Sequence, residues 1–533
     1  MSILSINLDS GAVGKEESHS SSFSFALDYL ASDKNALFIL APFNKEIGAK
    51  EVSFIYTSPI SGKINIQYSK INLSDMLSSL GYDGVLITGS SRKLSYILID
   101  KGSVDIFPSE SLRGKSSKRF EEILKKNPND IVLANGSAGD NGVIFAQLQH
   151  QGKNIRCEGL GNVFFQKNLK GLIVSALIEN EDGVRQSKTK EKLEKSKLVR
   201  RVKREGSCTF ISDGLRLGWI PIKNYSSRFD PRAYNLDGKS IKDQYGVHPT
   251  TCTSCLFSCG REGEDNGLLP YWKDMVSLGT NLSIFSIESV AKLYRAALEE
   301  GLDTLHLGAL LSYVLNESDD DMRWLGLKER NVDEIVSLIH RIGAVKEAGL
   351  RYKEGLKAFP GAYQNGYNQP LQYDIRGSFG EALLSLLGIN LDLPISLFMP
   401  KHEMDEKTSV VFALYEAIYS LALISLGYSP LAAAAYAESI PEFAYHSPFI
   451  ARIVMRSISF FGYKPKELFE IGLPLFEAIA GEKNTIPDHF TSDGESALSF
   501  RTVSPVKLLA LYREEKLKAE IWAKSRSEIK RAH

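Results

Sequence analysis

Segments with the composition of β-strands are concentrated in the first 180 residues of this chain, which limits the folds it can adopt. Six short runs rich in β-branched and aromatic residues end at turn-forming residues, as strands do. Beyond residue 260 the spacing of apolar residues becomes helical. We therefore predict an α+β fold, with a β-rich N-terminal domain (residues 1–205) followed by two mainly α-helical domains (206–400 and 401–533). The six predicted strands lie in ALFILAP (36–42), EVSFIYTS (51–58), KINIQYS (63–69), GVLITGS (84–90), SYILID (95–100) and DIVLANG (130–136).

Composition indicates a globular protein of several domains. The chain has 533 residues, more than one hydrophobic core usually serves. Its 64 basic and 64 acidic residues balance, so no overall charge draws it to nucleic acid or to a membrane. The N-terminal residues lack the basic and apolar regions of an export signal. Five cysteines, three of them clustered, do not form a secreted disulfide framework, and we expect a cytoplasmic protein.

The most apolar stretch, residues 410–437, is long enough to suggest a membrane span. Glu416 lies inside it, Gly427 and Pro430 interrupt it, and no basic cluster flanks it. A buried helix is therefore predicted here.

Residues 188–204 contain nine Lys or Arg. Leu193, Leu198 and Val202 lie roughly on one side at helical spacing, which favours a solvated connecting helix. The alternative is a docking patch for an acidic partner.

Three cysteines fall within eight positions, at Cys252, Cys255 and Cys259. Thiolates are soft ligands that suit zinc and iron–sulfur clusters, so we predict that these three bind a metal. An iron–sulfur cluster is favoured; zinc completed by His248, and unliganded thiols, are the alternatives. Cys157 and Cys208 are isolated and are expected to be small buried residues.

Motifs along most of the chain, in order, are similar to those of one enzyme family. The chain resembles the tungstopterin aldehyde ferredoxin oxidoreductases. The motifs are YTSPISG (56–62), LGYDGVLITGSSRKLSYILI (80–99), ANGSAGDNGVIFA (134–146), GLGNVFFQKNLKGLIV (159–174), the cysteine motif, LGTNLSI (278–284), EEGLDTLHLG (299–308) and QYDIRG (372–377).

The resemblance implies a β-rich base for a pterin cofactor, with two helical domains over it. It implies oxidation of an aldehyde to a carboxylic acid, with electrons passing through a four-iron cluster to ferredoxin. Cys252, Cys255 and Cys259 match three of the four cluster ligands of the family. Candidate cofactor contacts are Asp303, Lys167 and Asn168. Asp303 is equally well explained as a helix N-cap, and the Asn and Gly of QKNLKG (166–171) favour a turn.

The chain departs from the family pattern at several cofactor positions. Ile424 stands where the fourth cysteine is expected, which leaves Cys208, a non-cysteine group, an exogenous ligand or none. Leu298 replaces an aspartate, and Lys273 replaces a glutamate. Phe164, Phe165 and Gln166 stand where the family has Met, Gly and Ser, so two Phe rings add bulk there, and residues 68–76 lack a glycine pair. The tungstopterin is therefore doubtful. The alternative to the family reaction is a catalytically degenerate paralogue that acts as an electron-transfer or structural partner subunit; a homo-oligomer is also considered.

Overall fold

The structure is a computed structural model. It describes residues 2–18, 21–41, 51–101, 103–155, 158–176, 188–250, 257–263, 267–328, 331–390, 404–428, 438, 440–459, 462–483, 485–487, 490–491 and 503–524.

Two six-stranded sheets occupy the N-terminal part of the chain. The first has the strand order β2-β1-β6-β3-β4-β5, and the second has the order β11-β10-β9-β12-β7-β8. Each contains one parallel pair, β1 with β6 and β7 with β12, while the other pairs are antiparallel. The strands are β1 Ser2–Asn7, β2 Val13–Glu17, β3 Leu37–Leu40, β4 Glu51–Thr57, β5 Ile64–Lys70, β6 Gly84–Thr88, β7 Ser95–Ile99, β8 Val104–Pro108, β9 Ile131–Asn135, β10 Leu148–His150, β11 Lys153–Asn154, β12 Leu169–Val174, β13 His248–Thr250 and β14 Gly260–Glu262.

Alternation along the strands explains how the two sheets are buried. Leu4 and Ile39 of the first sheet share a core with Leu133 and Leu172 of the second, so the sheets pack face to face. The opposite face of the first sheet, which includes Phe38, packs against the helices. The first sheet is therefore buried on both faces, and this makes it the base on which the helical part of the chain rests.

Helices dominate the chain after the second sheet, which confirms the predicted α+β class. The described helices are α1 Ser22–Ser32, α2 Leu73–Ser79, α3 Ser117–Leu124, α4 Ser137–Asp140, α5 Leu160–Gln166, α6 Lys188–Lys195, α7 Lys197–Glu205, α8 Thr209–Leu217, α9 Gly238–Gln244, α10 Trp272–Leu278, α11 Ile287–Glu300, α12 Thr304–Val314, α13 Asp319–Trp324, α14 Val332–Ala344, α15 Gly349–Tyr352, α16 Phe379–Leu387, α17 Glu406–Ser425, α18 Pro448–Met455, α19 Pro465–Ile479 and α20 Pro505–Lys524. The proposed domain boundaries at 205 and 400 stay predictions.

The apolar helix α17 is a core helix of the helical part. It is the one described helix that is long and apolar enough to cross a membrane, but 83% of its most apolar 18-residue window is buried inside the protein. It packs against α16, α18, α19 and α20. Among these neighbours its apolar residues are removed from water, which confirms the predicted buried helix as far as Ser425; residues 429–437 of the predicted stretch lie outside the described residues. Within this helix, both carboxyl oxygens of Glu416 are buried and have no hydrogen-bond partner.

Glu416→Gln is expected to raise the free energy of unfolding at pH 7 by about 1–3 kcal/mol. Burial, with a smaller contribution from Glu381, raises the pKa of Glu416 well above its usual value. The folded protein therefore holds this proton more tightly than the unfolded chain does. The contribution of Glu416 to the free energy of unfolding is largest below about pH 4.5 and falls as the pH rises toward neutral. Thermal unfolding at pH 7 and pH 4.5 measures the difference. Glu406→Gln, in the first turn of the same helix and ion-paired with Lys507, is the control and should give no gain.

Candidate functional site

The line of contact between the second sheet and helices α11 and α12 contains the predicted cofactor aspartate. Asp303 caps α12, and its Oδ1 accepts a hydrogen bond from the His306 N–H at 2.8 Å. The side-chain amide of Gln147 donates to its Oδ2. Both carboxylate oxygens thus accept hydrogen bonds from protein groups. We call this line of contact, formed by residues 134–154 and 298–306, the seam.

Direct hydrogen bonds hold the two sides of the seam together. The Gln147 N–H donates to the Gly301 carbonyl at 2.7 Å, and Ala146 forms an antiparallel bridge with Leu302. The side-chain amide of Gln149 donates to the carbonyl of Leu298 at 2.7 Å, and the Leu298 side chain packs against the helical core. Leu298 therefore contributes a carbonyl and an apolar side chain, but no side-chain hydrogen bond, to the seam.

Gly136 and Glu300 form a second close approach across the seam. A Cβ added at Gly136 would lie 2.5 Å from the Glu300 carbonyl oxygen, so only glycine fits at this distance. The Ser137 hydroxyl donates to the Glu300 carboxylate, whose other oxygen contacts His340 Nδ1 at 2.8 Å. The backbones meet here without space between them for a further group.

His306 is fully enclosed beside the seam. Its ring stacks on Phe145 at a centroid distance of 4.6 Å, and its Nε2 accepts from the Leu356 N–H at 2.8 Å. The ring proton therefore lies on Nδ1, which has no hydrogen-bond partner in the described part of the chain. Burial lowers the pKa of His306 to about 3. His306 is therefore a neutral histidine packed in the protein interior.

Acidification is expected to destabilise the protein through His306. The folded-state pKa is depressed, so the neutral ring stabilises the fold above about pH 6.5, and this contribution falls by about 1.4 kcal/mol per pH unit toward pH 3. His306→Gln should remove this slope from unfolding measured in denaturant between pH 7 and pH 4.5. His446→Gln, at an exposed position, is the control and should keep the wild-type slope. An unchanged slope in the His306 variant would contradict the assignment.

The structure places Lys167 and Asn168 at the turn between α5 and β12. The Lys167 amine is buried and donates to the carbonyls of Asn35 at 2.5 Å and Gly89 at 3.3 Å. Burial lowers its pKa to about 8, against the opposing charges of Asp33 and Asp9. Asn168 has a φ of +50° and donates from its side chain to the Ser91 carbonyl. Both side chains bind main-chain groups of the loops that flank β3 and β6, and their role as cofactor contacts stays a prediction.

At other positions that depart from the family pattern, the side chains are buried in the protein or hydrogen-bonded to other side chains. Phe164 is fully buried between the two sheets. The Lys273 amine donates to the Gln372 side chain at 2.7 Å, and Ile424 is buried in α17. Within the QYDIRG motif, Arg376 forms a bidentate ion pair with Asp374.

Strands β13 and β14 bracket the cysteine motif. Thr250 pairs with Gly260, so the two ends of the segment that carries the motif lie side by side. Cys252 and Cys255 lie outside the described residues, and Cys259, next to Gly260 of β14, is partly buried. The prediction that the three cysteines bind a metal therefore stays a prediction. His248, the alternative zinc ligand, is exposed opposite Glu262.

Arg261 and Cys208 lie next to Cys259. The Ser207 N–H donates to the Cys259 carbonyl at 2.9 Å, while the Cys208 thiol donates to the Pro270 carbonyl. Burial lowers the pKa of Arg261, against the opposing effect of the nearby Cys208 and Cys259 sulfurs. A buried guanidinium beside thiolates stabilises their negative charge. Among the described residues there is no group of three or more His, Cys, Asp or Glu that could hold a metal ion.

Family models account for most of the chain. The model described as the aldehyde ferredoxin oxidoreductase N-terminal domain matches residues 11–176, and the model for domains 2 and 3 of the same family matches residues 185–378. The chain belongs to the aldehyde ferredoxin oxidoreductase family.

Within this family, the relatives are distant. A tungsten-containing aldehyde ferredoxin oxidoreductase of Pyrococcus horikoshii is 26% identical over 62% of this chain and 59% of its own length. One of Pyrococcus furiosus is 27% identical over 48% of this chain and 45% of its own length. The WOR-like subunit of an aliphatic sulfonate oxidoreductase of Pyrococcus furiosus is 24% identical over 54% of this chain and 51% of its own length. The matched regions thus span less than two thirds of these relatives.

A solved structure shares the fold over nearly the whole chain. It is the active-site complex BamBC of benzoyl coenzyme A reductase with 1,5-dienoyl-CoA. The TM-score is 0.64 at 14% identity, with 96% of this chain and 93% of that chain covered. At this identity the likeness shows the family fold alone.

Proposed function

We propose that this protein is an iron–sulfur electron-transfer subunit of the aldehyde ferredoxin oxidoreductase family that does not itself bind tungstopterin. The observation that carries the proposal is the hydrogen bonding of Asp303, whose two carboxylate oxygens accept from the His306 N–H and the Gln147 amide. These two hydrogen bonds use about half of the acceptor positions of the carboxylate, so in this chain Asp303 already binds both sides of the seam together. Leu298, at the other aspartate position of the motif, offers no side-chain acceptor.

The iron–sulfur part of the proposal depends on the cysteine motif. Cys252, Cys255 and Cys259 would be cluster ligands, because three thiolates in one short loop suit a four-iron cluster. A bound cluster would supply one-electron transfer. Arg261 would stabilise the negative charge of the thiolates, and the β13–β14 pairing would hold the loop closed. Reduced thiols fit a cytoplasmic location with a ferredoxin-like carrier.

A subunit role is supported by two of the comparisons. One relative is named as a subunit of an oxidoreductase, and the structural neighbour belongs to a two-component active-site complex. We propose by analogy that this chain acts beside a catalytic partner.

The second candidate is the family reaction itself, oxidation of an aldehyde to a carboxylic acid with electrons passed to ferredoxin. The names of the relatives in Pyrococcus favour it. It requires that the protein binds tungsten or molybdenum, so the metal content separates the two candidates.

The test is elemental analysis of protein purified without oxygen from cells grown with tungstate and molybdate. The proposal predicts about four iron atoms per chain and absorbance near about 400 nm, without tungsten, molybdenum or released pterin. Stoichiometric tungsten with pterin would establish the second candidate. One zinc atom per chain in a colourless protein would instead support the zinc site with His248 and would contradict both.

A further inference from the structure

The helix α7 presents a row of basic side chains to solvent. Residues 188–205 contain nine basic and three acidic residues in a chain whose total charge is zero. Lys195, Lys197, Arg200 and Lys203 are exposed, and none of the four forms an ion pair within the described part of the protein. On α7 the spacing of 197, 200 and 203 places these residues on one side. We call these four side chains the basic face.

The other side of α7 is fixed to the protein. Val199 and Val202 are fully buried, and Arg201 forms an ion pair with Asp213 of α8. The carboxylate of Glu438 accepts hydrogen bonds from the Lys197 and Leu198 N–H groups at the start of the helix. Because α7 is anchored in this way, its basic face is a fixed surface and not a solvated tail.

Arg261 joins the end of α7 to the cysteine site. Its guanidinium donates to the Lys203 carbonyl at 2.8 Å and to the Ser258 carbonyl at 2.8 Å. The Ser207 N–H, two residues after α7 ends, donates to the Cys259 carbonyl. A single side chain therefore spans from the backbone of the basic face to the residue before Cys259.

We propose that the basic face of α7 is the docking surface for a small acidic electron-transfer protein of the ferredoxin type. The proposal rests on the proposed function, since it assumes that the cysteine motif binds a redox cluster. Charge complementarity identifies the partner: three unpaired cations on one side of α7, with Lys195 just before the helix, steer and orient an acidic protein. Redox encounters use small interfaces, which suits a face on a helix of two and a half turns. Nucleic acid is less suited, because its tight binding usually needs many phosphate contacts along an extended groove.

The test compares two triple charge reversals in iron-loaded protein. Lys197→Glu, Arg200→Glu and Lys203→Glu together reverse the basic face. Arg92→Glu, Lys93→Glu and Lys118→Glu together make the same change in net charge at exposed positions of the sheet-rich part. The probe is a small acidic bacterial ferredoxin containing a four-iron cluster, and its binding is measured by calorimetry at low and high salt.

The face variant is expected to bind the ferredoxin at least about tenfold more weakly than wild type at low salt, with a reduced salt dependence, while the control changes by about threefold or less. Equal losses in both variants would show a bulk charge effect and overturn the proposal. So would wild-type affinity in the face variant, or a wild-type protein that binds duplex DNA or anionic vesicles but not the ferredoxin. If the triple variant does not fold, the single variants Arg200→Gln and Lys203→Gln are compared with wild type in the same ferredoxin-binding measurement.

Iron content separates this proposal from the proposed function. If wild-type protein holds no iron, the proposed function fails. If it holds iron but the basic face does not affect ferredoxin binding, only the docking surface is wrong.

Discussion

Replacing Cys259 with alanine is expected to remove the iron from the protein, from about four atoms per chain to about one or fewer. The same loss is expected for Cys252→Ala and Cys255→Ala, because a cubane cluster that already lacks a fourth family cysteine does not tolerate loss of a further thiolate. Iron analysis and the absorption spectrum of protein purified without oxygen measure the effect.

Cys208→Ala is the matched control for these variants. Its thiol donates to the Pro270 carbonyl in a buried position, although its backbone adjoins the hydrogen bond between Ser207 and Cys259. This variant is expected to keep its iron. Loss of iron from Cys208→Ala would identify Cys208 as a cluster ligand, and retention of iron by all three motif variants would exclude the cluster at this site.

Lys170→Met is expected to lower the free energy of unfolding by about 3–5 kcal/mol, the largest stability effect expected in the sheet-rich part. The Lys170 amine, with no exposed side-chain surface, donates to the Asp140 carboxylate at 2.5 Å and to the carbonyls of Lys115 and Asn135. Methionine fills a similar volume but leaves Asp140 buried without its cation. Denaturant unfolding followed by circular dichroism measures the change.

The Arg119–Glu122 ion pair provides the comparison. Both side chains are about half exposed or more, so Arg119→Ala should change the stability by at most about 1 kcal/mol. The double variant Lys170→Met, Asp140→Leu should recover part of the loss, because no charge is then left buried. A loss of less than about 1 kcal/mol in Lys170→Met would contradict a structural role for the pair.

The strands that the sequence predicts are those rich in β-branched and aromatic residues. All six predicted runs contain strands. Strand β2 could not be predicted from the sequence, because all five of its residues are exposed and give no pattern of buried apolar positions. Strands β13 and β14 have only three residues each, so only their mutual pairing identifies them.

The contacts across the seam could be predicted from the sequence less well than the fold. The aspartate and histidine of EEGLDTLHLG can be recognised, but the group that occupies Asp303 Oδ2 is Gln147, 156 residues earlier in the chain. No local pattern pairs these two positions. The turn role of Asn168 was foreseeable from its residue type, since asparagine tolerates positive φ, whereas the main-chain partners of Lys167 were not.

The parallel pairing of β1 with β6 has a consequence for how the protein folds. Ile3 pairs with Gly84, so this central contact of the first sheet joins segments roughly 80 residues apart. Bringing such distant segments together costs chain entropy before any stabilising contact forms, and long-range strand pairing is correspondingly slow. Helices such as α17 form from local contacts. The sheet-rich part is therefore expected to complete last, and the helices that rest on the first sheet would then acquire their final packing only after that sheet has closed.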